Sequence, residues 1–274
     1  MEMKEDAAIL FTRNVLNTQF EDIPPEVVNV TKKDILDTLG CALAGSSSPG
    51  SREMVELLKE WAGIQESTVW LFGERLPCVH AALLNGSMAH ARDFDDTYDL
   101  GLVHVGASTV PAAFAVAERK GRVSGKDMVT ACALGQDMIL RMAASITQWN
   151  DFHATGTLGI FGSVASAAKL LNLNEDQMIS AFGIAYAQAS GNVQALHDGV
   201  LSKRLQPGNA ARGGVFAALL AQTGFTGARK SLEGTSGFFK VYYNNHYNRK
   251  VLLADLGKTF EGIRLGFKPY PCAR

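Results

Sequence analysis

At 274 residues the chain can form one large domain or two small ones. With 47% hydrophobic and 19% charged residues it has ample apolar material for a sizeable core, which argues against disorder. A net charge of −1, without a basic block or a Lys/Arg stripe, argues against nucleic acid and anionic membrane as main partners. No apolar run reaches the ~18 residues of a membrane span.

Residues 5–20 read as a first helix, with Ile9, Leu10, Val15 and Leu16 on its apolar side; Pro24-Pro25 ends it and sets the start of the next. Over 26–45, Val28, Ile35, Leu39, Ala42 and Leu43 keep helical period until Gly45 and the Ser46, Ser47, Ser48, Pro49, Gly50 cluster stop it. A third helix is expected over 52–62 and a strand over Thr68-Val69-Trp70-Leu71-Phe72. Pro77 opens a helix running to His90. Ala107-Ser108-Thr109 can cap a helix over 109–119, with Pro111 tolerated in its first turn. Ser124 and Asp127 resemble a capping box at the head of a long helix to Ile146. Helices follow over 157–171 and 174–188, the latter with Asn174 as N-cap, then over 208–223, ended by Gly224. The last fifty residues are rich in Gly and aromatics, with a short helix expected near 251–258 and a strand over Ile263-Arg264-Leu265-Gly266-Phe267. Small residues recur through the helices, such as Gly159, Gly162, Ala165 and Ser166, and allow close axis approach.

The four cysteines, Cys41, Cys78, Cys132 and Cys272, are far apart and form no C-x-x-C pair, fitting neither a zinc ligand set nor a disulfide framework. Cys41 and Cys132 read as core fillers. Reduced thiols and an acidic start unlike a signal peptide suggest a cytoplasmic location.

Polar chemistry concentrates in three loops, each running into a helix rich in Ala and Gly. The first holds Asp93, Asp95, Asp96, Thr97 and His104; the second His153, Thr155 and Thr157; the third Lys203, Arg204, Gln206 and Asn209. Helix N-termini favour anions, and lysines and imidazoles beside them make sites for carboxylates or phosphates. Asp93, Asp95 and Asp96 need partners, expected as cations from the other loops. His80, His90 and His246 read as hydrogen-bonded structural residues. An EF-hand reading fails because Tyr98 replaces the required Gly and His104 stands where Glu belongs. A mononuclear metal site from Asp95, Asp96 and His104 stays open. Neither Gly121 to Asp127 nor Gly156-x-x-Gly159-x-x-Gly162 fits a nucleotide-binding motif.

Ala89-His90-Ala91-Arg92-Asp93-Phe94-Asp95-Asp96-Thr97 with His104, Phe152-His153-Ala154-Thr155-Gly156-Thr157, Lys203-Arg204-Leu205-Gln206-Pro207-Gly208-Asn209 and Lys268-Pro269-Tyr270-Pro271-Cys272 together resemble the MmgE/PrpD family. That family includes 2-methylcitrate dehydratase, cis-aconitate decarboxylase and iminodisuccinate epimerase. The resemblance implies an all-α domain over 1–260 and, from 261–274, the beginning of a small α/β lid that the chain only starts. It further implies a homodimer that needs neither metal nor cofactor. By position, Asp93, Thr97, His104 and His153 would be catalytic, and Lys203 and Lys268 would bind substrate. The sequence departs from the family pattern in Val105-Gly106, where a His-Pro pair is common after the loop, and in Ala273, where many relatives carry Cys or His.

The resulting expectation is a lyase acting on a small di- or tricarboxylic acid, with His104 and His153 exchanging protons. Asp93 would orient an imidazole and Thr97 would donate a hydrogen bond. Dehydration, decarboxylation and epimerisation can use the same groups. A non-catalytic dimerising helical module and a metal-dependent hydrolase are the rival readings.

Overall fold

A computed structural model describes residues 4–61 and 63–272. Among the described residues, twelve α-helices carry the fold. They are α1 (Ala7–Asn17), α2 (Pro25–Ser46), α3 (Ser51–Glu60), α4 (Cys78–Ala89), α5 (Gly106–Lys120), α6 (Gly125–Ser145), α7 (Ala154–Leu171), α8 (Glu175–Tyr186), α9 (Gln194–His197), α10 (Ser202–Gln222), α11 (Phe238–Tyr243) and α12 (Arg249–Leu252). Local chemistry sets several starts. Asp6 accepts from the Ala8 N–H at 2.9 Å, and capping boxes form at Ser124/Asp127 and Asn174/Gln177 as expected.

Helix α7 is the axis of the bundle, packed by α5, α6, α8 and α10, while α4 fills the space between α5, α10 and α2. It is apolar on every side, and such a helix belongs inside. By length and composition α7 could cross a bilayer, yet nearly all of it is covered by its neighbours. Backbones meet here. A Cβ on Gly162 would lie 2.4 Å from the Gly135 carbonyl oxygen of α6, so no larger residue fits without moving a helix. Cys41 and Cys132 are buried, as expected of core fillers.

The expected strand over 68–72 is corrected. Only Ser67–Thr68 pairs, antiparallel, with Arg75–Leu76, because Leu71 and Gly73 adopt positive φ and turn the chain into a tight hairpin. The strand expected at 263–267 is likewise absent. Residues Glu261–Arg264 form a 3₁₀ turn, and pairing reduces to one antiparallel bridge between Thr97 and Gly266. The helix expected near 251–258 is the shorter α12, with Leu256 and Thr259 bridged beyond it.

The segment after α12 is fastened to the body by Arg141. This buried guanidinium pairs with Asp137 at 2.7 Å and donates to the Ala254 and Thr259 carbonyls at 2.6 and 2.5 Å. Its planar fork meets three acceptors at once, which a lysine could not do.

Gly162→Ala should lower the unfolding free energy by about 1–3 kcal/mol, the usual cost of overpacking a close helix contact. Urea denaturation monitored by circular dichroism measures it, and an unchanged midpoint contradicts the close contact.

Candidate active site

The first polar loop leaves the C-terminus of α4 and ends at the start of α5. Asp96 closes it. Its two carboxylate oxygens accept from the N–H groups of Val105 and Gly106 at 2.8 and 2.9 Å, so the anion sits on the positive end of α5. The expected cap at Ala107 to Thr109 is therefore corrected: those residues lie inside α5, and the capping carboxylate comes from ten residues upstream. Val105 matters because a proline has no N–H to give. Gly106 matters because a Cβ there would lie 2.9 Å from Asp96 Oδ1 and 2.3 Å from Thr38 Oγ1.

Asp96 also places His104. Its backbone carbonyl meets His104 Nδ1 at 2.5 Å, and an acceptor-only carbonyl requires the proton on Nδ1. The neutral ring then presents a bare Nε2. The His104 N–H donates to Thr155 Oγ1 at 3.2 Å, linking this loop to the first turn of α7. Burial lowers the pKa of His104, and Asp95 opposes it while the neighbouring His90 ring works in the same direction as burial.

His153 occupies the N-cap position of α7, which starts at Ala154 rather than at 157. Its buried Nδ1 has no hydrogen-bond partner. Burial, with His90 and Lys203 nearby, pushes its pKa down to about 3. Lys203 lies in the first turn of α10, which begins at Ser202; Pro207 and Gly208 are inside the helix, not in a loop before it. The Lys203 ammonium pairs with the Asp93 carboxylate. Burial pushes Asp93 up, but Lys203 and His90 outweigh it and hold its pKa below the ordinary value.

Asp93 has a left-handed φ of 50°, uncommon for a residue with a side chain. That turn directs its carboxylate to Lys203 and its carbonyl to the C-terminal segment. The carbonyl accepts from Lys268 Nζ and from the Cys272 N–H, each at 3.0 Å. Thr97 is buried two residues before the Asp99 turn, its N–H and carbonyl both bonded to Gly266 at 2.9 Å. Ala273 lies outside the described residues.

His90, read from sequence as a hydrogen-bonded structural residue, is buried and bonded to Asp95 as that reading expects, and it also stands in the middle of this group. Its ring centroid lies 5.2 Å from that of His104 and 5.7 Å from that of His153. Its Nδ1 meets Asp95 Oδ2 at 2.7 Å with both side chains buried, and its Nε2 faces Asp93 Oδ1 at 3.9 Å. Burial would raise Asp95, but His90, His104 and Lys268 bring its pKa well below the ordinary carboxylate value. The expected partners of the three acids are thus met only for Asp93. Asp95 takes its imidazole from the helix just before it, and Asp96 takes backbone N–H groups.

Behind Asp96 lie more buried polar groups. Asp34 Oδ2 accepts from Gln136 Nε2 at 2.7 Å, and burial with Asp96 nearby raises the Asp34 pKa well above normal. Burial also lifts Asp37 to about 6. Asp95, Asp96 and His104 are each turned to a different partner, and among the described residues no group of three or more His, Cys, Asp or Glu side chains is arranged to hold a metal ion.

The opening to solvent is a cleft of about 180 Å³, with His90, Ala91 and Asp93 on one wall and Ala195, Leu196, Gly199, Val200, Lys203 and Arg204 on the other. Larger hollows of about 510 and 760 Å³ lie elsewhere, but no imidazole lines them. The chemistry, not the volume, selects the small cleft. The cleft wall carries the Lys203 ammonium, the Arg204 guanidinium and the start of α10, groups that favour an anion, and the His104 and His153 rings lie behind it, next to His90.

His153 also gives a stability signature. Its unfolded value is 6.5 and its folded value about 3, so below pH 6.5 the unfolded chain binds a proton that the folded chain refuses. The stability from this group is complete above 6.5 and is lost as pH falls toward 3. Urea unfolding across that range should show a steeper decline for the wild type than for His153→Gln; identical slopes contradict the burial of a neutral ring.

The profile of the MmgE/PrpD N-terminal domain matches residues 10–250. A cis-aconitate decarboxylase of Aspergillus terreus is 30% identical over 270 residues, covering 93% of this chain and 55% of the relative. The human cis-aconitate decarboxylase is 32% identical over 255 residues, covering 89% and 52%. A cis-aconitate decarboxylase-like protein of Aspergillus oryzae is 30% identical over 267 residues, covering 92% and 55%. The chain spans about half the length of the curated relatives it matches. With the domain profile covering most of its length, the chain belongs to the MmgE/PrpD family.

Proposed function

We propose that the cleft binds a small di- or tricarboxylic acid and removes CO₂ from it, as a lyase of the cis-aconitate decarboxylase type. One observation carries this reading: Lys203 and Lys268 meet on Asp93, and His104 and His153 flank the His90 ring beside it, although the four come from distant parts of the chain. Dehydration and epimerisation would use the same groups. The names of the relatives favour decarboxylation.

In decarboxylation the C–C bond to the leaving carboxylate breaks, its electron pair stays on carbon, CO₂ departs and one proton completes the carbon. Lys203 and Lys268 would offset the charge of the carboxylates that remain. The proton has a physical source. In the free protein burial keeps both His104 and His153 toward the neutral form. A polyanion entering the cleft reverses the local field and favours an imidazolium, so binding takes up the proton that the reaction consumes at carbon.

The purified chain should turn over cis-aconitate or a related acid from a panel that includes 2-methylcitrate. His104→Ala should lower kcat by about 10²- to 10⁴-fold while the protein stays folded. Lys203→Ala should raise KM roughly 10- to 100-fold, as expected for a lost charge-assisted hydrogen bond. A folded wild type that is inactive across the panel would instead favour a non-catalytic helical module. Titration calorimetry with a substrate analogue, repeated in buffers of different ionisation enthalpy, should show net proton uptake on binding, and its absence contradicts the proton source.

A further inference from the structure

Three imidazoles share one hollow, but their electrostatic settings differ. His90 is the C-terminal cap of α4, where the negative end of a helix favours a cation, and its Nδ1 lies on the buried Asp95 carboxylate at 2.7 Å. His104 and His153 stand at the opposite kind of helix end, before α5 and at the head of α7, where a positive charge is disfavoured. His104 directs Nδ1 to a carbonyl, and His153 Nδ1 has no partner. The buried His90 Nε2 also lacks a hydrogen bond, and it faces Asp93 at 3.9 Å. Around the His90 ring stand Asp93 and Asp95 on its own loop, Asp96 and His104 farther along it, His153 of α7, Lys203 of α10 and Lys268 of the C-terminal segment. Asp37 of α2 lies behind Asp95.

We propose that His90, held on Asp95, is a positioning residue: it is the ring that carries positive charge in the free site, and that charge adds to burial in keeping His153, and to a lesser degree His104, neutral until a carboxylate arrives. This purpose rests on the lyase reading. The residue belongs to the cleft wall, but its side chain is fully buried in the free site, and its effect is exerted through its neighbours. Its partner Asp95 makes the charge tolerable in the interior, where an unpaired cation would not persist. The pair is nearly neutral from afar, but His153 meets chiefly its cationic half, while at His104 the Asp95 carboxylate outweighs His90.

The test is the protonation state of each ring, read from ring-nitrogen chemical shifts in protein labelled with ¹⁵N-histidine. At pH 7 the wild type should show His90 with both ring nitrogens protonated, His104 neutral with its proton on Nδ1, and His153 neutral. In His90→Gln, the pH at which His104 and His153 become charged should shift upward. In the double variant His90→Gln, Asp95→Asn it should return toward the wild-type position, because both charges leave together. A neutral His90 in the wild type overturns the proposal, as does an unchanged His104 and His153 in folded His90→Gln; if that variant does not fold, the wild-type spectrum decides. If the chain turns over substrate, the alkaline limb of its kcat/KM profile, set by the imidazole that must be protonated, should move to higher pH in His90→Gln. Absent wild-type turnover would sink the lyase reading and leave the nitrogen spectra to judge His90.

Discussion

Asp96 holds the site together. Its carboxylate binds the first two free N–H groups of α5, and its carbonyl binds His104. One residue thus determines where a helix begins and which nitrogen of the adjoining imidazole is bare. The buried acid has little freedom, since its two oxygens are bound by N–H groups that have no acceptor within the helix. Thr38 and Asp34 of α2 crowd Gly106 together with Asp96, and Gln136 of α6 holds Asp34 in turn, so the start of α5 has no spare room. Precision of this kind would suit the proton transfer proposed for the site.

The same hollow collects helix ends of both polarities. The termini of α5, α7 and α10 present N–H groups, while α4 presents its carbonyl end at His90. Acids and bases therefore meet a field that is graded across a few ångströms. Asp95 and Asp93 remain ionised beside cations, whereas burial and its acidic neighbour raise Asp96. Neighbouring carboxylates in one loop thereby acquire different proton affinities, which a single type of environment could not produce.

Much of this was legible in the residues. The periodicity of α2, α6, α7 and α8 is plain, and the capping pairs at Ser124 and Asn174 are local signals that the structure honours. The convergence of Asp93, His104, His153, Lys203 and Lys268 followed from their shared setting before small-residue helices and from the family resemblance. The starts of α5 and α10 were harder. The cap of α5 is tertiary, supplied by Asp96, and Pro207-Gly208 reads as a break although Gly208 actually seats α10 against Leu83 and Ser87 of α4. His90 was missed because a lone histidine at a helix end is usually structural. Its spacing of three from Asp93 and five from Asp95 was the available signal. The C-terminal strand failed for a further reason: Phe267 and its neighbours had an extended composition but only one residue pair to bridge.

The Asp93 carbonyl receives Lys268 from 175 residues away, and Arg141 fastens the intervening segment to the core. No local folding unit can therefore assemble the hollow by itself. The last ammonium group arrives only after the bundle has closed and the tail has found its groove, since contacts so distant along the chain must await loop closure. A molecule nicked or frayed beyond α12 would keep its helices and Lys203, yet the Asp93 carbonyl would lose Lys268 and the site one of its two ammonium groups. For this chain, then, an intact helical spectrum is a poor certificate of a competent site.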